Sequence, residues 1–174
     1  HSSVAGRRKA VWTLCQIEGV GARQGVRRAL NDSDESVRQV AIHAVSLHRD
    51  VSSLDALVRI LLRSNSAQNK RGAAEALGRL QSPSGVSALL KASASVGDDR
   101  ILEHSITYAL IELGEAELTR EGLASTDPAT LRTALIALDQ MQGGGVDPKF
   151  VAPLLVGEDL LLKKTGLWLV ERHP

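Results

Sequence analysis

Small and aliphatic residues recur along this chain in a repeated pattern of nearly constant length. Residues 37–45 align with residues 69–77, with a small residue at the fifth place and an aliphatic residue at the ninth. Neighbouring copies of this frame are 31, 32, 33, 28 and 31 residues apart, which is a period typical of stacked two-helix repeats. The frame opens at six positions: Gly6, Val37, Asn69, Leu102, Thr130 and Leu161. The pattern predicts a helical solenoid instead of a domain with one closed core.

Each frame predicts one amphipathic helix, which we call a B helix. At about 100° per residue, the first, fifth, eighth, ninth and twelfth places fall on one face, and these places are mainly small or aliphatic. A shorter apolar segment precedes each of the later frames and predicts an A helix, at residues 25–30, 54–62, 86–90, 118–123 and 150–156. The predicted fold is an all-α, right-handed α-solenoid in a single domain over residues 1–174, with one lone B helix before the A–B pairs.

Turn and cap residues agree with these boundaries. Asp34 closes a polar turn just before the second B helix. Asp127 stands before Pro128, and an acid at the N-cap followed by proline at the first helical position is a strong signal for a helix start. Each glycine costs a helix about 1 kcal/mol relative to alanine, so the three consecutive glycines at 143–145 predict a loop before the last A helix.

Composition limits the possible partners. Residues of the AVILMFWYC set make up 43% of the chain and aromatic residues only 2%, so the interior must consist of Leu, Val, Ile and Ala. Lys and Arg total 21 against 20 Asp and Glu, and a net charge of +1 provides no global field for nucleic acid. No run reaches the ~18–20 apolar residues that span a bilayer. We therefore predict no nucleic-acid partner and no membrane span.

The turn before the second B helix resembles the HEAT repeat. In that family an Asp in the A–B turn precedes Val-Arg at the start of helix B, and Asp34, Val37 and Arg38 match this pattern. The resemblance implies that the Arg reaches an Asp of the neighbouring repeat, forming a ladder of charge-assisted hydrogen bonds. Arg7, Arg38 and Lys70 hold the ladder position in the first three frames. Later frames carry Glu103, Leu131 and Leu162 there, so the ladder is predicted to end at the third B helix.

In HEAT-type solenoids the B helices line the concave face, and the third and seventh places of each frame point outward from it. The third-place row is mostly basic: Arg8, Gln39, Arg71, His104, Arg132 and Lys163. The seventh-place row changes from polar and aromatic to apolar: Trp12, His43, Glu75, Tyr108, Ile136 and Leu167. This mixed surface suits a protein partner, and its residues up to Tyr108, with Arg132 and Lys163, are the candidate site. A solvated helix face and an anion-binding row both explain the basic residues.

Catalytic and metal chemistry have weak support in the sequence. His43 and His48 are five residues apart, so they project about 140° apart on a helix and cannot share a metal as an i, i+4 pair can. His104 and Tyr108 share a helix face and could form a proton-handling site or a hydrogen-bond cluster at the groove edge. Cys15, the single cysteine, is interpreted as a packing or surface residue. We predict no catalytic, cofactor-binding or metal-binding residue in this chain.

Three strings, at residues 7–12, 101–110 and 168–174, resemble a more specific group. They are similar to the HEAT segment of large exported bacterial proteins that combine a sugar-dehydrogenase-like β-propeller, helical repeats and a c-type haem domain. The resemblance implies export and redox chemistry in other modules, and no haem ligand is carried over to this chain. It also implies that Trp12, His104, Tyr108, Trp168 and His173 dock neighbouring domains. We accordingly expect the chain to be a segment of a longer protein.

The sequence therefore predicts a non-catalytic interaction scaffold or spacer with a protein partner. The alternative is a ligand- or chromophore-handling module, because bilin lyases also contain HEAT-like repeats. A scaffold should retain no cofactor, whereas a chromophore handler should bind a tetrapyrrole. The sequence leaves open the identity of the partner, the compartment (exported if the wider resemblance holds, otherwise cytoplasmic) and the oligomeric state.

Overall fold

The computed structural model describes residues 3–173, so His1, Ser2 and Pro174 lie outside the described part of the predicted domain and of the C-terminal string. Within these residues the chain is entirely helical apart from turns, as predicted. The B helices are α1 (Val4–Gln16), α3 (Glu35–Leu47), α5 (Ala67–Arg79), α7 (Arg100–Leu113), α9 (Pro128–Gln140) and α11 (Leu160–Arg172). The A helices are α2 (Val20–Ala29), α4 (Leu54–Arg63), α6 (Gly85–Ser93), α8 (Ala116–Arg120) and α10 (Pro148–Val156). Short 3-10 turns precede α4 and follow α8.

Side-chain caps define where the B helices begin. Each of them starts after a Ser or Asp whose side chain accepts a hydrogen bond from a backbone N–H of the first turn, which satisfies a donor that the helix itself cannot. The caps are Ser3, Asp34, Ser66, Asp99, Asp127 and Asp159. Among the A helices, α10 has the same kind of cap, from Asp147. The sequence thus fixes the B helices locally, while most A helices depend more on packing.

The core lies between the layer of A helices and the layer of B helices. Fully buried leucines such as Leu57 and Leu89 from the A layer and Leu77 and Leu110 from the B layer fill it. Alanines occupy the small positions of the B helices and have no exposed surface: Ala41, Ala44, Ala73, Ala76, Ala109, Ala134 and Ala137. These small side chains let neighbouring B helices approach closely.

The most extensive contact between two helices of the described residues is between α5 and α7. Near the C-terminal end of α5, Gly78 faces Ala109, and a Cβ atom added to Gly78 would lie 2.9 Å from the Ala109 Cα atom. The B helices contact one another more extensively than the A helices do. The B helices are also longer than the A helices, and hollows open between the last three of them on the exposed face of the B layer. No helix within residues 3–173 combines the length and the apolar character that crossing a bilayer requires.

Ion pairs link successive repeats, but not through all of the predicted ladder residues. Arg7 of α1 donates two hydrogen bonds, of 2.8 and 2.9 Å, to the carboxylate of Asp32 in the turn before α3. Arg38 instead donates to the carbonyl oxygens of Asp32 and Ser33 in its own repeat. The reason is in the sequence, because the next A–B turn, Ser64-Asn65-Ser66, contains no carboxylate. Asp34 serves as the α3 cap, and Lys70 is half-buried on α5.

The chain of ion pairs continues beyond the third B helix, contrary to the sequence prediction. Arg71 of α5 donates to both carboxylate oxygens of Asp99, with the shortest distance at 2.7 Å. Further links follow along the B layer and on the A side: Arg132 with Glu103, Arg172 with Asp139, and Arg27 with Asp50. The prediction was wrong because it followed one place of the frame, whereas arginines at several places reach the acids.

Candidate functional site

The exposed face of the last three B helices contains a continuous concavity, which we call the B-face cleft. It consists of two adjoining hollows of about 280 and 300 Å³, one between α7 and α9 and the other between α9 and α11. Arg100, Arg132 and Ile136 line both hollows. The side chains that give the cleft its character are Arg100, His104, Tyr108, Arg132, Lys164 and Trp168.

Helical spacing places these side chains on one surface. On α7 the residues Arg100, His104 and Tyr108 are separated by four positions each, so they lie one above another. On α9 the pair Arg132 and Ile136 has the same spacing, and on α11 Lys164 and Thr165 each lie three or four positions from Leu161 and from Trp168. Three helices held in a packed stack thus present one shared surface.

Arg132 is the central charged group of the cleft. Its guanidinium forms an ion pair with Glu103 of α7, and its Nε donates to the Thr165 hydroxyl of α11 at 3.2 Å. Burial lowers the pKa of Arg132, and the positive charge of Arg100 lowers it further, although arginine stays protonated at physiological pH. Arg132 therefore holds the three helices together and contributes positive charge to the cleft floor.

Rings at the two ends of the cleft provide flat, partly exposed surfaces. His104 and Tyr108 stack with their ring centroids 6.5 Å apart, and Tyr108 is 53% exposed. At the other end Trp168 lies half-buried with the Arg172 guanidinium 4.9 Å from its ring centroid, a cation–π arrangement. The Glu103 carboxylate forms an ion pair with Arg132 and not with His104. This arrangement favours recognition over proton transfer at His104.

The other predicted site residues lie on the same face but nearer the N-terminus. Arg8 and Gln39 are exposed, and Trp12 meets His43 with their ring centroids 5.5 Å apart. Glu75 accepts a hydrogen bond from the Ser105 hydroxyl at 3.3 Å. Arg71 is committed to Asp99 and links two repeats. The structure thus brings His104, Tyr108 and Arg132 into the cleft and leaves the remaining candidates outside it.

In the last repeat the predicted register is wrong by one residue. The cleft is lined by Lys164 and Trp168, whereas the frame had predicted Lys163 and Leu167, both of which are exposed outside it. The first helical residue of each earlier B helix precedes its frame by two positions, but α11 begins only one position before Leu161. Gly166, which is buried, takes the fifth place that the frame had given to Thr165. Sequence reasoning also missed Arg100, although it stands four residues before His104.

Cys15 and His48 lie apart from the cleft. Cys15 is buried, and the His48 Nε2 atom lies 2.8 Å from the Cys15 carbonyl oxygen and 3.5 Å from its sulfur. A bond from Nε2–H to the carbonyl leaves that nitrogen unable to take the thiol proton, so the pair joins α1 to α3. No group of three or more His, Cys, Asp or Glu side chains within residues 3–173 is arranged to hold a metal ion.

Stacked two-helix repeats with a concave B face define an α-solenoid of the HEAT and armadillo type, as the sequence predicts. The family model for HEAT repeats matches residues 1–68, and that for the PBS lyase HEAT-like repeat matches residues 70–95. Together these matches support the HEAT family for this chain. None of the curated proteins matches the sequence significantly.

Solved structures share the fold at low sequence identity. The complex of CpcE and CpcF of phycocyanin lyase from Nostoc sp. PCC7120 is 20% identical with a TM-score of 0.60, and the match covers 98% of this chain and 72% of that one. The HEAT-like repeats protein of Thermococcus onnurineus NA1 is 18% identical with a TM-score of 0.59, covering 96% and 75%. Human deoxyhypusine hydroxylase is 18% identical with a TM-score of 0.55, covering 98% and 68%. At these identities the comparisons establish the fold alone.

Proposed function

We propose that this chain is a non-catalytic module that binds a protein segment in the B-face cleft. The observation that carries this proposal is the cleft itself, in which half-exposed rings and apolar side chains surround fixed charges on three packed helices. Large rings and arginines contribute most of the binding energy in many protein interfaces, and rigid helices lower the entropy cost of presenting them. Repeat stacks commonly use such extended concave surfaces for binding.

The rings of His104 and Tyr108 provide the first test. We expect His104→Ala combined with Tyr108→Ala to weaken the binding of peptides selected on the protein by at least tenfold, because the double variant removes the stacked pair at one end of the cleft. Both side chains are exposed, so the fold should survive their removal. Peptides would be selected from a random display library, and the affinity of each would be measured by isothermal titration calorimetry.

A matched control uses Ser87→Ala with Lys91→Ala, two exposed positions on α6 of the A layer. This control should bind the selected peptides like the unmodified chain. The proposal would be contradicted if both double variants weakened binding equally, or if the affinity of the selected peptides were unchanged by the His104 and Tyr108 substitutions. Either result would place binding elsewhere. Circular dichroism of all three proteins would verify that the helices are intact.

Chromophore handling is a second candidate function. The similarity of fold to the phycocyanin lyase complex is compatible with it, and the cleft offers cationic groups, Arg100 and Arg132, that could pair with the carboxylates of a tetrapyrrole. This candidate predicts a shift in visible absorbance when a bilin is added to the purified protein, and loss of the shift in Arg100→Gln. An unchanged bilin spectrum would remove this candidate and leave peptide binding unaffected.

We also propose which domains stand beside this module and where the protein is located. The resemblance of three sequence strings to propeller–HEAT–haem proteins supports a role beside such domains, with the bound segment belonging to a neighbouring domain or a separate protein and with an exported location. A recombinant propeller or haem domain from such a protein should then compete with the selected peptides for the cleft. Absence of competition would argue for a separate partner.

A further inference from the structure

The B-face cleft has a charge that the chain as a whole does not have. Arg100, Arg132 and Lys164 line it, and Glu103 is the one carboxylate among the lining residues. The cleft therefore carries an excess of two permanent positive charges, whereas the net charge of the whole chain is +1. Since Glu103 is engaged by Arg132, the charges of Arg100 and Lys164 remain available to a ligand at the surface.

Arg100 and Arg132 repel each other as neighbouring like charges, and the Glu103 carboxylate pairs with Arg132 alone. Burial lowers the pKa of Arg132 and the positive charge of Arg100 lowers it further, in agreement with the position of both side chains in the lining of both hollows. A bound anion would relieve this repulsion, because a carboxylate accepts hydrogen bonds from guanidinium groups in a planar, charge-assisted geometry. The cleft thus keeps an excess of positive charge that a bound anion can neutralise.

Apolar side chains also line the cleft beside the cations. Ile136 stands between the two hollows, and Leu161 and Trp168 form the wall on α11. A ligand that is only a polyanion would leave this apolar surface uncovered. An apolar side chain carried between carboxylates would satisfy both features of the surface.

Resting on the function proposed above, we infer that the cleft binds an acidic protein segment, with carboxylates on either side of a large apolar side chain. The carboxylates pair with Arg100 and Lys164, and the apolar side chain lies against Ile136 and Trp168. This assignment names the chemical class of the partner, and the two cations that it uses, Arg100 and Lys164, lie outside the basic row that the sequence predicted.

The test uses fluorescein-labelled nine-residue peptides and fluorescence anisotropy with the whole chain. The first peptide has glutamates flanking one central leucine, the second has glutamine in place of every glutamate, and the third has alanine in place of the leucine. We expect the first to bind with an affinity that falls as salt is raised from 0.05 to 0.5 M, because screening shortens the Debye length to a few ångströms, about 3 Å at 1 M. The second and third should each bind at least about fivefold more weakly.

Variants locate the binding site. Arg100→Gln combined with Lys164→Gln should weaken the acidic peptide by about tenfold, since two partly exposed charge pairs are lost. The matched control, Arg28→Gln with Lys91→Gln, removes the same charge from exposed positions on α2 and α6 of the A layer and should leave the affinity unchanged. Equal weakening by the two double variants would show a general charge effect and overturn the inference.

The remaining outcomes separate the inference from the proposed function. Equal binding of the glutamine peptide, or tighter cleft binding of a single-stranded oligonucleotide of the same charge, would overturn the acidic-segment assignment. If display selection still yielded peptides sensitive to the His104 and Tyr108 changes, the proposed function would stand without it. Failure of both the acidic peptide and the display selection would overturn both.

Discussion

Gly78→Ala is expected to lower the free energy of unfolding by about 1–3 kcal/mol, although alanine is the better helix former. The added methyl group would lie 2.9 Å from the Cα atom of Ala109 and 3.1 Å from its Cβ atom. The carboxylate of Glu112, at 3.0 Å, can rotate away, but the backbone of α7 cannot move without separating α5 from α7. Urea denaturation followed by circular dichroism would measure the change.

Gly21→Ala is the matched control, because the same exchange there should have the opposite sign. Gly21 lies in α2, and an added Cβ atom would find no heavy atom within 4 Å. Only the helix-propensity gain remains, so we expect an increase in the free energy of unfolding of roughly 0.5–1 kcal/mol. Two alanine variants that changed stability in the same direction would contradict the close α5–α7 contact.

Close contacts between B helices, such as that of α5 with α7, are the reason why the sequence pattern predicted most of the fold. The recurring small residues predicted the B helices because only small side chains allow neighbouring helices to pack closely, and Ala73, Ala109 and Ala134 are fully buried where the frame placed them. The last repeat failed because Thr165 and Gly166 are both small, and because the adjacent Leu161 and Leu162 both fit the first place of the frame. A pattern of small residues cannot choose between two adjacent candidates.

The cleft was only partly predictable for a different reason. The frame identified His104, Tyr108 and Arg132 as outward-facing, since spacing along one helix fixes direction. It could not identify Arg100 as a neighbour of Arg132, because that proximity depends on how α7 and α9 lie against each other. The ion-pair ladder depends in the same way on the neighbouring repeat, because an arginine needs a carboxylate in the turn that it faces. Asp99 provides one for Arg71, whereas residues 64–66 contain none for Arg38.

Asp99→Ala is expected to lower the free energy of unfolding by roughly 1–3 kcal/mol, because Asp99 performs two tasks. Its carboxylate accepts the Leu102 N–H at 2.9 Å as the cap of α7, and it binds the half-buried Arg71 guanidinium of α5. Asp99→Asn should be less harmful, since asparagine caps a helix as well as aspartate does but has no charge for Arg71. Thermal and urea unfolding of both variants would separate the cap from the ion pair.

Asp127→Ala provides the matched control, because Asp127 caps α9 through the Thr130 N–H at 2.8 Å and, within the described residues, takes part in no ion pair. It should cost the capping contribution of about 0.5–2 kcal/mol together with the hydrogen bond that the Thr130 hydroxyl donates to Asp127. Equal losses for the two alanine variants, together with a neutral Asp99→Asn, would show that the Arg71 pair adds nothing.

The ion pair should also make stability depend on pH in a specific direction. The hydrogen bond from Arg71 lowers the pKa of Asp99 in the folded chain below the ordinary value of 3.8, and the hydrogen bond from Arg7 does the same for the pKa of Asp32. An acid whose folded pKa is lowered stabilises the fold above its unfolded pKa, and this contribution is lost as the pH falls through the folded pKa. The stability difference between the unmodified chain and Asp99→Asn should therefore be constant from pH 7 to about 5 and shrink below about pH 4. A difference that persisted unchanged at pH 2 would mean that Asp99 stabilises the α5–α7 junction through its shape and cap alone, without its charge.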